Sequence, residues 1–115
     1  MSNRCLQTKH YEIKNEGQEP LYSETRKDIY NLALNKFGMK KQIVKCIEEL
    51  SEMQKELCKY FLRQGSIEKI IEEVADVEIM LEQMKLGLDI TPEDLDEAKD
   101  EKLSRLSRWM REEEE

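Results

Sequence analysis

The stretch Ile47-Glu48-Glu49-Leu50-Ser51-Glu52 returns 24 residues later as Ile71-Glu72-Glu73-Val74-Ala75-Asp76. Both copies have the order apolar, acidic, acidic, apolar, small, acidic. Each copy lies in a longer segment whose apolar residues recur every three or four positions, which is the spacing of an amphipathic helix. The repeat therefore predicts two long helices of the same design.

Helical geometry places two carboxylates on one edge of each apolar stripe. An α-helix turns about 100° per residue, so Glu49 lies about 100° and Glu52 about 160° to the same side of Leu50. The copy centred on Val74 repeats both angles. We expect the two stripes to pack on each other, with both acidic edges facing one cleft. The stripe residues are Ile43, Ile47, Leu50, Met53, Leu57 and Phe61, then Ile67, Ile70, Ile71, Val74, Val77, Leu81 and Met84.

Four carboxylates beside one apolar core would repel each other, and a divalent cation would relieve that repulsion. Oxygen ligands at this density suit a hard ion such as Mg²⁺ or Mn²⁺. Zinc is not expected, because no histidine lies near these acids and both nearby cysteines fall on the apolar side of the helix. A single such motif usually marks a solvated helix face, whereas a second copy at matching phase favours a metal site. The predicted ligands are Glu49, Glu52, Glu73 and Asp76.

The two copies together have the form E-E-x-x-E followed, on the next helix, by E-x-x-D. This pattern resembles the signature of the MazG-like, all-α nucleoside triphosphate pyrophosphohydrolases. Phe37-Gly38 followed by Gln42 resembles the aromatic-Gly-x-x-x-Gln that often precedes the acidic helix in that family. The run of Lys102, Arg105 and Arg108 resembles the family's basic turn near the C-terminus, so the resemblance covers about residues 24–110.

The resemblance implies a fold, an activity and a cofactor. The fold would be all-α, an antiparallel four-helix bundle of the all-α NTP pyrophosphatase type. The activity would be Mg²⁺-dependent hydrolysis, with Mn²⁺ as an alternative ion, of a nucleoside triphosphate substrate to monophosphate and pyrophosphate. House-cleaning of the nucleotide pool is the implied role. The alternative substrate is phosphoribosyl-ATP, which an enzyme of the same superfamily cleaves.

The resemblance also implies roles for individual residues. Glu48, Glu49 and Glu52 would be catalytic, with Glu48 either an outer ligand or the base that orients water. Basic residues near a helix C-terminus also complement the helix dipole, so phosphate binding there has a structural alternative. An aromatic residue such as Phe37 equally suits core packing. The implied phosphate-binding residues are Lys102, Arg105 and Arg108, and the implied base-binding residues are Phe37 and Gln42.

Two non-catalytic functions fit the same pattern. A helical adaptor could use the acidic edges to bind a basic partner, and a degenerate family member could bind nucleotides without cleaving them. The complete set of acids argues against degeneracy. Release of pyrophosphate from nucleoside triphosphates would separate the enzyme from the adaptor.

The composition indicates one small helical domain, with 115 residues of which 39% are charged and 6% aromatic. The hydrophobic core of so small a domain supplies little excess stability, so we expect a homodimer or homotetramer. Candidates for the interface are apolar residues outside the two stripes, such as Val44, Ile79 and Met80. The net charge of −7 argues against nucleic-acid binding. It does not argue against a nucleotide substrate, because a bound metal reverses the local charge.

Cysteine usage and hydropathy bear on localisation. The three cysteines are odd in number, and Cys46 and Cys58 lie 12 residues apart on one predicted helix, where they cannot pair. Reduced thiols, no signal peptide and no long apolar run predict a cytoplasmic protein without a membrane span.

Capping signals divide the chain into an arm or loop at 1–22, a helical domain at 23–111 and an acidic tail at 112–115. Ser23, Ser66 and Thr91 are suitable N-caps, and Gly38, Gly65 and Gly87 mark helix ends. The predicted helices are 24–36, 39–64, 67–86 and 92–111.

Overall fold

The structure, a computed structural model, describes residues 10–13 and 22–114. Within them the chain forms a two-stranded antiparallel ribbon followed by four helices. The elements are β1 (His10–Ile13), β2 (Tyr22–Thr25), α1 (Arg26–Phe37), α2 (Met39–Phe61), α3 (Ile67–Gly87) and α4 (Pro92–Glu114). The four predicted helices are confirmed. The ribbon lies mostly in the segment predicted as an arm or loop, of which 1–9 and 14–21 fall outside the described residues.

Helix α1 begins two residues later than predicted, because Thr25 and not Ser23 is its N-cap. Thr25 Oγ1 accepts a hydrogen bond from the backbone N–H of Asp28 at 3.1 Å, and the Asp28 carboxylate accepts one from the N–H of Thr25 at 3.2 Å. This reciprocal pair satisfies donors that the first helical turn leaves unpaired. Ser23 lies in β2 opposite Glu12.

The caps predicted for α3 and α4 are confirmed. Ser66 Oγ accepts from the backbone N–H of Lys69 at 3.1 Å. Thr91 and Asp94 exchange two hydrogen bonds of 3.0 Å, again a capping box. Both helices therefore begin where their local sequence indicates.

Two helix ends differ from the prediction by three residues. Helix α2 ends at Phe61 and not at residue 64, and Arg63 beyond it has a φ of 61°, in the left-handed region that stops a helix. Helix α4 continues to Glu114, so the predicted acidic tail is helical up to that residue.

Helices α2 and α3 form a hairpin in which the start of α2 contacts the end of α3. Gln42, near the start of α2, donates from Nε2 to Oε1 of Gln83, near the end of α3, at 2.7 Å. A β-carbon at Gly87 would collide with Met39, so the end of α3 lies directly against the start of α2. Helix α1 packs against both helices of the hairpin.

The two hairpin helices meet through a different face from the predicted one. Leu50 and Val74, the centres of the predicted stripes, are 42% and 37% exposed, and Ile71 is 59% exposed. The expected packing of stripe on stripe within one chain is therefore wrong: Glu73 turns inward and Glu49 is partly buried, whereas Glu52 and Asp76 stay exposed. Of the residues in the two stripes, only Val77 is buried. The buried residues of the hairpin are Gln42, Cys46, Glu56, Glu73, Val77, Met80 and Gln83.

Helix α4 makes at most marginal contact with the other elements. Its large apolar side chains are exposed, and no large side chain in the described part of the chain is completely buried. Packing of all four helices as one antiparallel bundle therefore stays a prediction. The exposed residues of α4 are Leu103, Leu106, Trp109 and Met110.

The described cysteines and the hydrophobicity of the helices can be compared with the sequence predictions. Cys46 is buried, Cys58 is exposed and both are free thiols, as predicted, whereas Cys5 lies outside the described residues. Among the described helices, none combines the length and the hydrophobicity needed to cross a bilayer.

Candidate metal centre

Three of the four predicted metal ligands converge where α2 and α3 meet. Glu49 of α2 and Glu73 and Asp76 of α3 each offer one carboxylate oxygen, and these oxygens lie within 4.8 Å of one another. Oxygen ligands lie about 2.0–2.1 Å from Mg²⁺, so three oxygens at this spacing can reach one ion after small side-chain adjustments. We call Glu49, Glu73 and Asp76 the acidic group.

The acidic group forms because two of its members lie in the buried rows of the hairpin. Glu49 follows Cys46 by three residues and Gln42 by seven, which puts all three on one side of α2. Glu73 precedes Val77 by four residues and Met80 by seven, on the inner side of α3. Because Glu73 and Val77 share the inner side of α3, Glu73 points toward α2 and Glu49.

Glu73 gives evidence for a ligand that is independent of the clustering. The residue is 7% exposed, and its Oε1 is buried without a hydrogen-bond partner among the described residues. A buried carboxylate oxygen without a partner is costly, because it has lost its water and gained nothing in return. A cation bound by that oxygen would remove the cost.

Burial and repulsion raise the pKa of the two members of the acidic group on α3, Glu73 and Asp76. For Glu73 the largest cause is desolvation, followed by the negative charge of Asp76, and the charges of Glu52 and Glu49 add to the rise. The pKa of Asp76 is raised first by desolvation and then by the charge of Glu49. The ionised forms of Glu73 and Asp76 are therefore disfavoured, and a divalent cation would stabilise them.

The raised pKa predicts how stability depends on pH. The pKa of Glu73 in the folded state lies above its ordinary value of 4.5. Between these two pKa values the folded state binds more protons than the unfolded state. The contribution of Glu73 to the free energy of unfolding therefore falls as pH rises from about 4.5 to the folded pKa. Glu73→Gln removes that titration. The free energy of unfolding of the variant, minus that of wild type, should therefore increase across this interval and level off above it.

Urea unfolding of both metal-free proteins at a series of pH values, with a chelator present, measures this difference. Glu68→Gln, at an exposed acid in the first turn of the same helix, is the matched control for removing one negative charge outside the acidic group. A difference for Glu73→Gln that is independent of pH would contradict the prediction.

The other two predicted acids lie at the edge of the acidic group. Glu52 is exposed and outside the set of three close oxygens, although its negative charge helps to raise the pKa of Glu73. Glu48 is also exposed, and its charge acts on Lys45. Their assignments as ligand and as catalytic residue stay predictions.

The predicted base-binding residues have contrasting surroundings. Gln42 is buried, and its Nε2 donates to Gln83, so a base could use that amide nitrogen only by displacing Gln83. Phe37 is 49% exposed, with the Lys36 ammonium 5.8 Å from the centre of its ring. Exposure makes Phe37 available for stacking, and it argues against core packing within one chain.

The predicted phosphate-binding residues Lys102, Arg105 and Arg108 are all exposed on α4. Because α4 makes at most marginal contact with the other elements, the described part of a single chain does not pack these cations onto the hairpin. Their role stays a prediction, and it requires α4 to meet the acidic group of the same or another copy.

Three polar residues of this region were not predicted from the sequence. Gln83 is the buried partner of Gln42, and Glu56 is 4% exposed with its carboxylate 3.5 Å from Lys59 Nζ. Lys45 Nζ lies 3.1 Å from Oε2 of Glu49. The i,i+4 spacing of Lys45 and Glu49 is a recognisable signal for such a pair. Nothing in the apolar pattern indicates that Gln83 and Glu56 are buried.

No family model matches the chain, and comparisons with curated proteins and with solved structures found no match.

Proposed function

We propose that this protein is a Mg²⁺-dependent nucleoside triphosphate pyrophosphohydrolase, which cleaves a ribo- or deoxyribonucleoside triphosphate to monophosphate and pyrophosphate. The observation that carries the proposal is the acidic group, with a buried and unpartnered oxygen on Glu73. Its members occupy positions of the E-E-x-x-E and E-x-x-D motifs on successive helices. A solvated acidic face would not bury Glu73 or bring acids of two helices together.

The donor set of the acidic group suits Mg²⁺ or Mn²⁺. All three donors are carboxylate oxygens, and neither histidine nor cysteine belongs to this group in the described part of the chain. Three protein ligands would leave room on such an ion for water and for phosphate oxygens. When bound, the ion would neutralise charge on the phosphate oxygens during in-line attack.

The other predicted residues complete the proposed site. Glu52 would add a ligand from the exposed edge, and Glu48 would orient the attacking water or act as an outer ligand. Phe37 would stack on the base and Gln42 would hydrogen-bond it. Lys102, Arg105 and Arg108 would neutralise the polyphosphate.

We infer that two copies of the chain associate through the exposed apolar faces of α2 and α3. Nine apolar residues on these faces are between 37% and 84% exposed in the single chain, and a second copy would remove them from water. Two hairpins joined in this way would supply the four helices of an antiparallel bundle. The uncovered apolar side of α4 would serve a homotetramer. The nine side chains are Ile43, Ile47, Leu50, Leu57, Phe61, Ile67, Ile71, Val74 and Leu81.

Incubation with a panel of nucleoside and deoxynucleoside triphosphates and Mg²⁺ at neutral pH, matching the proposed cytoplasmic setting, tests the activity. We expect monophosphate and pyrophosphate in equal amounts from at least one substrate, and none when a chelator is present. Phosphoribosyl-ATP belongs in the panel, because its cleavage alone would assign the rival substrate. Release of pyrophosphate from no compound would contradict the proposal and favour the adaptor.

A further inference from the structure

The acidic group has a protein cation beside it. Lys45 Nζ is 3.1 Å from Oε2 of Glu49, and the side chain of Lys45 is 53% exposed where that of Glu49 is only 14% exposed. The pKa of Lys45 is raised first by its hydrogen bond to Glu49 and by that residue's charge, with smaller contributions from Glu48 and Asp76. Lys45 is therefore paired with one member of the acidic group, Glu49.

The other lysine ion pairs in the described residues do not include a member of the acidic group. They join Lys59 to Glu56, Lys69 to Glu72 and Lys85 to Glu82. Of these three lysines, Lys69 is the most similar to Lys45, because its charge lowers the pKa of Glu73. Its ammonium, however, contacts the exposed Glu72. Lys45 is thus the lysine placed to neutralise Glu49 directly.

A divalent cation bound by Glu49 would repel an ammonium at this distance. Both would compete for the same carboxylate, and like charges this close are unfavourable. The Lys45 ammonium can move away without disturbing α2, because its long side chain is half exposed and flexible. After moving it would still lie at the edge of the site, near the position of a metal-bound triphosphate.

We propose that Lys45 is the resident counter-ion of the acidic group, that a divalent cation displaces it from Glu49, and that the freed ammonium then binds an oxygen of the triphosphate. This role presupposes the proposed function. Lys45 lies outside the two acidic motifs, on the turn of α2 that precedes Glu49.

The first test measures Mn²⁺ binding by electron paramagnetic resonance, without nucleotide. Lys45→Gln should bind Mn²⁺ about two- to fivefold more tightly than wild type, as expected when a partly exposed ion pair no longer competes. Lys41→Gln is the control, since Lys41 is exposed, lies one turn earlier on α2 and makes no ion pair in the described residues. Equal or weaker Mn²⁺ binding by Lys45→Gln would overturn the counter-ion role.

The second test measures steady-state hydrolysis. Lys45→Gln should raise KM for the triphosphate by about tenfold, the scale of one charge-assisted hydrogen bond, while Lys45→Arg restores most of it. An unchanged KM would overturn the phosphate contact.

The two proposals can fail separately. Tighter Mn²⁺ binding by Lys45→Gln in a protein that hydrolyses no triphosphate would support the counter-ion role and contradict the proposed activity. Absence of Mn²⁺ binding to wild type would overturn both.

Discussion

Glu73→Gln is expected to lower kcat/KM for pyrophosphohydrolysis at least about 100-fold, because the substitution removes the most deeply buried ligand charge of the proposed metal site. Glutamine keeps the shape of the side chain and removes one of three mutually repelling carboxylates. The metal-free variant should therefore be as stable as wild type or more stable. Loss of activity would then reflect the loss of a ligand and not the loss of the fold.

Kinetics and thermal melts with and without Mn²⁺ separate these effects. Wild type should gain about 2.7 kcal/mol of stability when free Mn²⁺ is 100 times its dissociation constant, and Glu73→Gln should lose most of that gain. Glu68→Gln, an exposed acid on the same helix, should keep both the activity and the gain. Near-wild-type activity of Glu73→Gln, or an equal gain from Mn²⁺ in both proteins, would exclude Glu73 as a ligand.

Ile71→Asp is expected to convert the proposed dimer into monomers, with a dissociation constant at least about 1000-fold higher. Ile71 is 59% exposed in the single chain, so the fold tolerates a polar side chain there. In a twofold-symmetric interface the substitution appears twice, and it would bury two carboxylates without partners. Light scattering coupled to gel filtration measures the mass, and circular dichroism verifies that the helices are retained.

Val44→Asp is the matched control for this experiment. Val44, one of the off-stripe residues considered for the interface from the sequence, is 52% exposed on α2 and lies about 120° around the helix from Leu50, outside the surface proposed from the structure. Met80, another of those residues, is buried within one chain. The dimer should survive this substitution. A monomeric wild type at micromolar concentration, or a monomer produced by Val44→Asp and not by Ile71→Asp, would contradict the proposed surface.

Local signals in the sequence were sufficient to predict the helices. Ser66 and Thr91 are confirmed caps because a cap depends on the three residues that follow it. Thr25 was missed in favour of Ser23 because the ribbon before α1 was not predicted, and the pairing of β2 fixes where the helix can begin. Strand pairing depends on residues distant in the chain, which a local pattern does not contain.

The convergence of Glu49, Glu73 and Asp76 was predicted, although the face through which the helices pack was not. The apolar pattern marks Leu50 and Val74 as buried, yet it does not specify whether the same chain or a second copy buries them. Because the acids lie beside the stripes at equal angles, they meet when the helices pack through their acidic edges. Burial of Glu73 itself runs against hydrophobic patterning, as is common at functional sites.

A crystal structure with Mn²⁺ and a nucleotide analogue that resists cleavage between the α and β phosphorus atoms tests the central claim most directly. The anomalous difference map should show manganese about 2.1 Å from carboxylate oxygens of Glu49, Glu73 and Asp76, with the analogue's phosphate oxygens in its remaining positions. The Lys45 ammonium should have left its place 3.1 Å from Glu49. Manganese bound only at exposed acids elsewhere, with that ion pair intact and no metal at Glu73, would contradict the claim.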